Sequence, residues 1–211
     1  MNSSADLNHP MIKTIMLDLG NVIVPLDFKL CHSGLAGVCS YPPDEIPKRI
    51  GSTGLVQRFE TGEVPPEDFV REISKILAMD VSYRQFWDIW GAMLAPEPII
   101  PDSMLEGLAR GRRLLLLSNT NIIHFAMIRE RYSLLRHFHD MILSYEVGAL
   151  KPSPRIYREA IARAGCQAEE CFFTDDVAAF AEAARLEGID AIQFKSLKQL
   201  QQDLGLRGIN W

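Results

Sequence analysis

The sequence predicts an α/β fold: a doubly wound parallel sheet interrupted by a small α-helical insert. Three observations predict it. Short apolar runs at 12–17, 113–118, 140–144, 170–174 and 190–194 have the near-continuous hydrophobicity of strands covered on both faces. Helix-period segments alternate with the later runs, the order that builds parallel sheets. Residues 28–97 break the alternation with amphipathic pieces and no convincing strand.

Taken in order, "IKTIML" (12–17) is the first strand. Amphipathic pieces follow near 26–33, 43–50, 54–60, 66–79 and 83–94. "PPEDFVREISKIL" opens on a double proline and sets Phe69, Ile73, Ile76 and Leu77 along one face. "SYRQFWDIW" adds Tyr83, Phe86, Trp87 and Trp90 at helical spacing, read as the core of the insert. "APEPIIP" (95–101) is a proline-stiffened link. Beyond it, helices are expected near 102–111, 120–133, 153–165, 177–188 and 196–204. The third has Ser153 as N-cap, Pro154 at its first position and Gly165 as its stop; Gly188 ends the fourth in the same way. The expected layout is a flexible N-terminus over 1–11, a sheet domain from 12–27 and 98–211, and a helical cap over 28–97.

With 211 residues, 47% of them hydrophobic, the chain can bury a sizeable core. A net charge of −5 with no cluster of basic residues argues against nucleic acid or an anionic membrane surface as a partner. No apolar run approaches a membrane span, and "MNSSADLNHP" lacks the layout of a signal peptide. Cys31, Cys39, Cys166 and Cys171 form no C-x-x-C pair and read as thiols in a reducing compartment, which makes the cytoplasm the expected location.

Open parallel sheets bind ligands beyond the carboxyl ends of their strands. There the first strand delivers Asp18, "RLLLLSNTN" delivers Ser118 and Asn119, "SYEVGALKPSP" delivers Lys151, and "CFFTDD" delivers Asp175 and Asp176. Carboxylates crowded at about 4 Å repel by roughly 4 kcal/mol per pair at an effective dielectric near 20. Lys151 offsets part of that and a hard divalent ion offsets more. Mg²⁺ suits such a set, and the bare backbone at Gly20 offers a carbonyl ligand. The "SNT" turn opening a helix suits a phosphate. The composite is a phosphoryl-transfer site with Asp18 as nucleophile. Taken singly, each part has a plainer reading: Asp18 as a turn residue, Asp175–Asp176 as a helix cap, Lys151 as a solvated loop lysine. His124, His137 and His139 read as surface or satisfied core.

The order Asp18, Ser118, Lys151, Asp175/Asp176 resembles the four motifs of the haloacid dehalogenase (HAD) superfamily, over about residues 12 to 195. "LDLGNVIVPLDF", "FETGEVPPEDF", "LLSNTNIIH", "GALKPSPRIY" and "FFTDDVAAFAEAARLEGI" are similar to the small-cap branch that includes the α-D-glucose-1-phosphate phosphatases. The resemblance implies a Rossmann-like core and a Mg²⁺-dependent hydrolase of small phosphorylated metabolites, with a sugar 1-phosphate as the candidate substrate. It implies Asp18 as nucleophile and metal ligand, the Gly20 carbonyl as a second ligand, and Asp176 as a third. Asp175 stands in or behind the metal shell. Ser118 and Asn119 hold the phosphoryl group, and Lys151 neutralises nucleophile and phosphate. Arg58 and Glu60 are candidates for choosing the substrate.

Two positions depart from the family pattern. Gly20 stands where most of its phosphatases carry a second Asp as general acid/base, a loss worth 10²–10⁴-fold in rate. That biases the expected substrates toward good leaving groups, with Asp27 as a nearby substitute. Phe180 stands where Asp or Asn usually supports the metal shell or the lysine, and it is expected to weaken Mg²⁺ organisation or alter the substrate. Two other readings follow: a non-catalytic phospholigand-binding module on a worn site, and a halide-displacing hydrolase, which the Asp175–Asp176 pair argues against. Whether the chain is a monomer or a homodimer is open at this level.

Overall fold

The computed structural model describes residues 11–211, so the expected N-terminal lead-in lies outside the described residues except for Met11. The apolar runs form β1 (Thr14–Leu17), β2 (Arg113–Ser118), β3 (Asp140–Leu143), β4 (Cys171–Asp175) and β5 (Asp190–Gln193). All pairings are parallel, in the order β3-β2-β1-β4-β5. Thr14 sits opposite Arg113 on one side and Cys171 on the other, so β1 is the central strand. Strand order reverses on either side of β1, which places the ligand-binding crevice at its carboxyl end.

The insert follows β1 as α1 (Phe28–Ala36), α2 (Ile46–Gly51), α3 (Leu55–Glu60), α4 (Pro66–Ile76) and α5 (Tyr83–Trp90). Phe59, Phe69, Phe86 and Trp90 are buried in its core, whereas Trp87 is half-buried and Tyr83 exposed. Phe59 stacks on Phe69 with centroids 3.9 Å apart, and Trp90 stacks on Phe86 at 5.2 Å. The chain then returns through α6 (Asp102–Gly111), α7 (Ile122–Arg131), α8 (Ser144–Val147), α9 (Pro154–Ala164), α10 (Ala178–Leu186) and α11 (Leu197–Leu206). The short α8 occupies a stretch that the sequence reading leaves as loop.

Alternation along β2 sends Leu114 and Leu116 to one face of the sheet, and Leu115 and Leu117 to the other. On the second face Ile156, Tyr157 and Ala160 of α9 and Ala181 and Ala184 of α10 cover Met16, Leu117 and Phe173. The first face packs α6 and α11 and continues without a break into the insert's own core. The two chain crossings between sheet and insert run side by side: Asp27 N–H donates to Met93 O at 2.8 Å, and Ala95 N–H to Pro25 O at 3.2 Å. Among the described residues no helix is long and apolar enough to cross a membrane, and all four cysteines are free thiols.

Candidate active site

Asp18 is the first residue beyond β1, and its amide extends the ladder by donating to Thr174 O at 3.1 Å. The strand therefore delivers its carboxylate to the sheet edge, where it is only 7% exposed. Lys151 meets it there. Its Nζ, at the end of a side chain buried to 2% exposure, donates to Asp18 Oδ1 at 2.7 Å, Asp175 Oδ2 at 2.5 Å and Leu117 O at 3.0 Å. Every donor of the ammonium is thus used, which is what a buried charge requires. Burial works to lower the Lys151 pKa, but the two carboxylates outweigh it and hold the lysine above its ordinary value. Burial also pushes Asp18 up to about 7, with Lys151 opposing and Asp175 adding to the rise.

Asp175 is fully buried and doubly engaged: Oδ2 holds Lys151, and Oδ1 accepts the Val177 amide at 2.9 Å. It serves the turn after β4 rather than capping α10, whose N-cap is Val177. Asp176 is tied to the other side of the site, its Oδ2 accepting from Asn21 Nδ2 at 3.2 Å. One oxygen each from Asp18, Asp175 and Asp176 lies within 4.8 Å of the other two. Hard oxygen donors at that spacing fit a divalent cation such as Mg²⁺. Asn21 is a site residue the sequence reading passed over. It adopts φ 54°, a left-handed conformation Asn tolerates better than most side chains. Its Oδ1 also accepts the Leu26 amide at 3.0 Å, so one side chain braces both the loop after β1 and Asp176.

Two expectations take a different form. Asn119 does not turn its side chain to a ligand: Oδ1 accepts the Lys151 amide at 2.8 Å and Nδ2 donates to Lys151 O at 3.0 Å. Its side chain clamps the lysine's backbone. Phe180, expected to be unable to orient the ammonium, lies with its ring centroid 5.5 Å from Lys151 Nζ, as does Phe173. Both are within cation–π range. Asp27 is exposed and spends Oδ1 on the Lys29 amide at 3.0 Å as the N-cap of α1.

Residues directly after Asp18 and at the end of β2 border a small cavity of about 100 Å³. Gly20, Leu26, Ser118, Asn119 and Thr120 line it from the sheet domain, and Phe28 and Glu60 from the insert. Ser118 is buried with only a long 3.4 Å bond to Asn119 O. Thr120 is fixed by Ser144, whose Oγ accepts the Thr120 amide at 2.9 Å. His124 also lines the cavity, stacked on Trp90 at 5.3 Å. Its Nδ1 faces Asn121 Nδ2 at 3.1 Å, while its Nε2 is buried without a partner among the described residues. Burial pushes its pKa down to about 4.

A parallel sheet that gathers an aspartate, a buried lysine and two further carboxylates at its switch point defines an α/β enzyme with a carboxylate-centred site. The model of the haloacid dehalogenase-like hydrolases matches residues 8–188, and the chain belongs to that family. It is similar to the D-ribitol-5-phosphate phosphatase of Bacteroides thetaiotaomicron, 24% identical over 200 residues that cover 92% of this chain and 97% of the relative. It is also similar to phosphatase MT3486 of Mycobacterium tuberculosis, 25% identical, covering 85% of this chain and 86% of the relative. Among solved structures, the HAD family enzyme bt-2542 of B. thetaiotaomicron superposes with a TM-score of 0.81 at 26% identity, over 92% of this chain and 99% of that one. The same enzyme has been crystallised with magnesium and inorganic phosphate.

Proposed function

We propose that the chain is a Mg²⁺-dependent phosphomonoester hydrolase acting on a small phosphorylated metabolite through an aspartyl-phosphate intermediate. The observation that carries this reading is the buried Lys151 bridging Asp18 and Asp175, with Asp176 alongside. Lys151 orients Asp18 through their 2.7 Å contact and balances charge when a phosphoryl group arrives. Asp18 attacks phosphorus as the ester oxygen leaves; water then attacks the acyl phosphate and frees the carboxylate. Ser118, through its hydroxyl, and Asn119, through its backbone N–H, orient the phosphoryl oxygens. Asp18, Asp176 and the Gly20 carbonyl would hold the cation, with Asp175 behind them fixing Lys151. When bound, Mg²⁺ supplies charge neutralisation for the phosphoryl oxygens and for Asp18.

The small cavity favours a compact polyhydroxy ester, a sugar 1-phosphate or a sugar-alcohol phosphate. The kinship with a ribitol-phosphate phosphatase supports that class. The unpaired cysteines fit a cytoplasmic setting. The test is phosphate release from a panel of small phosphomonoesters, with Mg²⁺ and with EDTA, for the wild type and Asp18→Asn. Turnover that needs Mg²⁺ and disappears in the variant is expected. A folded protein that hydrolyses nothing on the panel, yet gains thermal stability from phosphate esters, overturns the reading in favour of a binding module.

A further inference from the structure

Gly20 leaves the hydrolase without the acid/base that its position usually supplies, and neither of the nearby loop positions 26 and 27 offers a free acid at the site. A Cβ built at Gly20 would lie 2.8 Å from Leu26 Cδ1. The Leu26 side chain occupies that space, and the Leu26 amide bonds Asn21 Oδ1 at 3.0 Å. Asp27 faces solvent and caps α1. The cavity wall has two titratable side chains among the described residues, Glu60 and His124. His124 accepts a hydrogen bond at Nδ1 and is held neutral by burial, so it offers a weak donor and no transferable charge.

Glu60 is the remaining group. It ends α3, directly after Phe59, whose ring is locked against Phe69 in the core of the insert. Two residues on, Gly62 has φ +76°, and its backbone packs so closely on the sheet domain that a Cβ there would come within 2.3 Å of Tyr145 O. The "FETG" stretch is thus pinned at both ends, by the insert's core and by α8. Glu60, between the pins, lines the same cavity as Ser118 and Gly20. No ion pair or hydrogen bond forms at its carboxyl among the described residues, and burial alone raises it to about 7.

We propose that Glu60 is the proton donor and acceptor that position 20 lacks, a catalytic residue supplied by the insert; this rests on the hydrolase reading above. In the first step Asp18 Oδ forms a bond to phosphorus and the P–O bond to the leaving alcohol breaks. The Glu60 carboxyl gives that oxygen its proton and becomes a carboxylate. In the second, a water oxygen bonds to phosphorus while Glu60 takes one of its protons. The bond from phosphorus to Asp18 then breaks, releasing hydrogen phosphate and restoring both residues. Such a donor lifts the restriction to good leaving groups that Gly20 alone implies.

The test compares kcat/KM for 4-nitrophenyl phosphate and for the best alkyl phosphate of the panel, in the wild type, Glu60→Gln and Glu60→Asp. An unfolding curve for each variant serves as a check. Gln is expected to lower the alkyl value by about 10²–10⁴-fold and the nitrophenyl value by less than about tenfold, because nitrophenolate leaves without a proton. Asp should recover part of the alkyl rate. Equal losses on both substrates, or no loss, overturn the assignment. A wild type that hydrolyses the aryl ester but no alkyl ester overturns it as well. A wild type with no Mg²⁺-dependent turnover of any ester overturns the hydrolase reading itself, and this role with it, so the two failures are distinct.

Discussion

Replacing Lys151 by Met tests the charge arrangement at the heart of the site. The substitution keeps most of the apolar stem and removes the ammonium. Lys151 is 2% exposed, Asp18 7% and Asp175 fully buried, and the Nζ supplies all three bonds that join them to Leu117 O. Without it two buried carboxylates face one another with no cation between them. Removing one partner of a buried ion pair typically costs about 3–5 kcal/mol. The protein can recover part of this by taking up a proton, since burial already lifts Asp18 from 3.8 to about 7. A carboxyl raised further above its unfolded value contributes stability that is lost as pH rises, so the deficit should be larger at pH 8 than at pH 6. Urea unfolding at both pH values, with and without millimolar Mg²⁺, gives the readout. The variant should lose about 3–5 kcal/mol at pH 8 without metal, lose less at pH 6, and gain more from Mg²⁺ than the wild type does. A loss under about 1 kcal/mol, or one indifferent to pH and Mg²⁺, would refute the idea that Lys151 offsets buried like charges.

Other outcomes follow from the same structure. Glu60 has a folded pKa raised from 4.5 to about 7 by burial, so its ionisation costs stability as pH climbs through that window. Glu60→Gln should therefore stabilise the fold by about 1–3 kcal/mol at pH 8 and hardly at all at pH 4, as measured by denaturant titration. His124 is shifted the opposite way, from 6.5 to about 4 by burial. The unfolded chain then binds the extra proton between those values, and stability falls on acidification by up to about 3 kcal/mol. His124→Gln should flatten that slope in an unfolding series from pH 7 to 4. Gly62→Ala places a methyl 2.3 Å from Tyr145 O at φ +76°. It should cost about 2 kcal/mol or more and lower kcat/KM at the same time, because the displaced segment carries Glu60. A variant with an unchanged melting temperature would contradict that packing.

Much of the fold was legible because its periodicity is local. The run at 113–118 is β2 to the residue, and the piece at 54–60 is α3 to within one. Boundaries slipped where the ends rest on tertiary contacts. The helix expected over 120–133 starts only at Ile122, since Asn121 caps it by accepting the His124 amide at 3.0 Å and Thr120 is bound to Ser144. At the site, the strand ends identified which side chains arrive together, but not which atoms they spend on one another. Asn119 looks in sequence like a ligand for phosphate, whereas its amide group is committed to the backbone of Lys151, 32 residues away. Nothing in the chain near Phe180 announces that its ring lies 5.5 Å from the Lys151 ammonium. Gly62 reads as an ordinary turn glycine, and nothing near it in the chain announces the carbonyl of Tyr145.

The central place of β1 has a consequence for how the protein comes into being. Thr14 must wait for Arg113 and Cys171 before it has either neighbour in the sheet, and Asp18 meets Lys151 only across 133 residues of chain. Contacts of such separation incur their loop-closure entropy before they return any stability. Asp18, made early on the ribosome, therefore stays without its partner lysine until most of the chain is available. Catalytic competence then marks completed folding, and a cation that binds the finished carboxylate cluster would draw the last step forward by mass action.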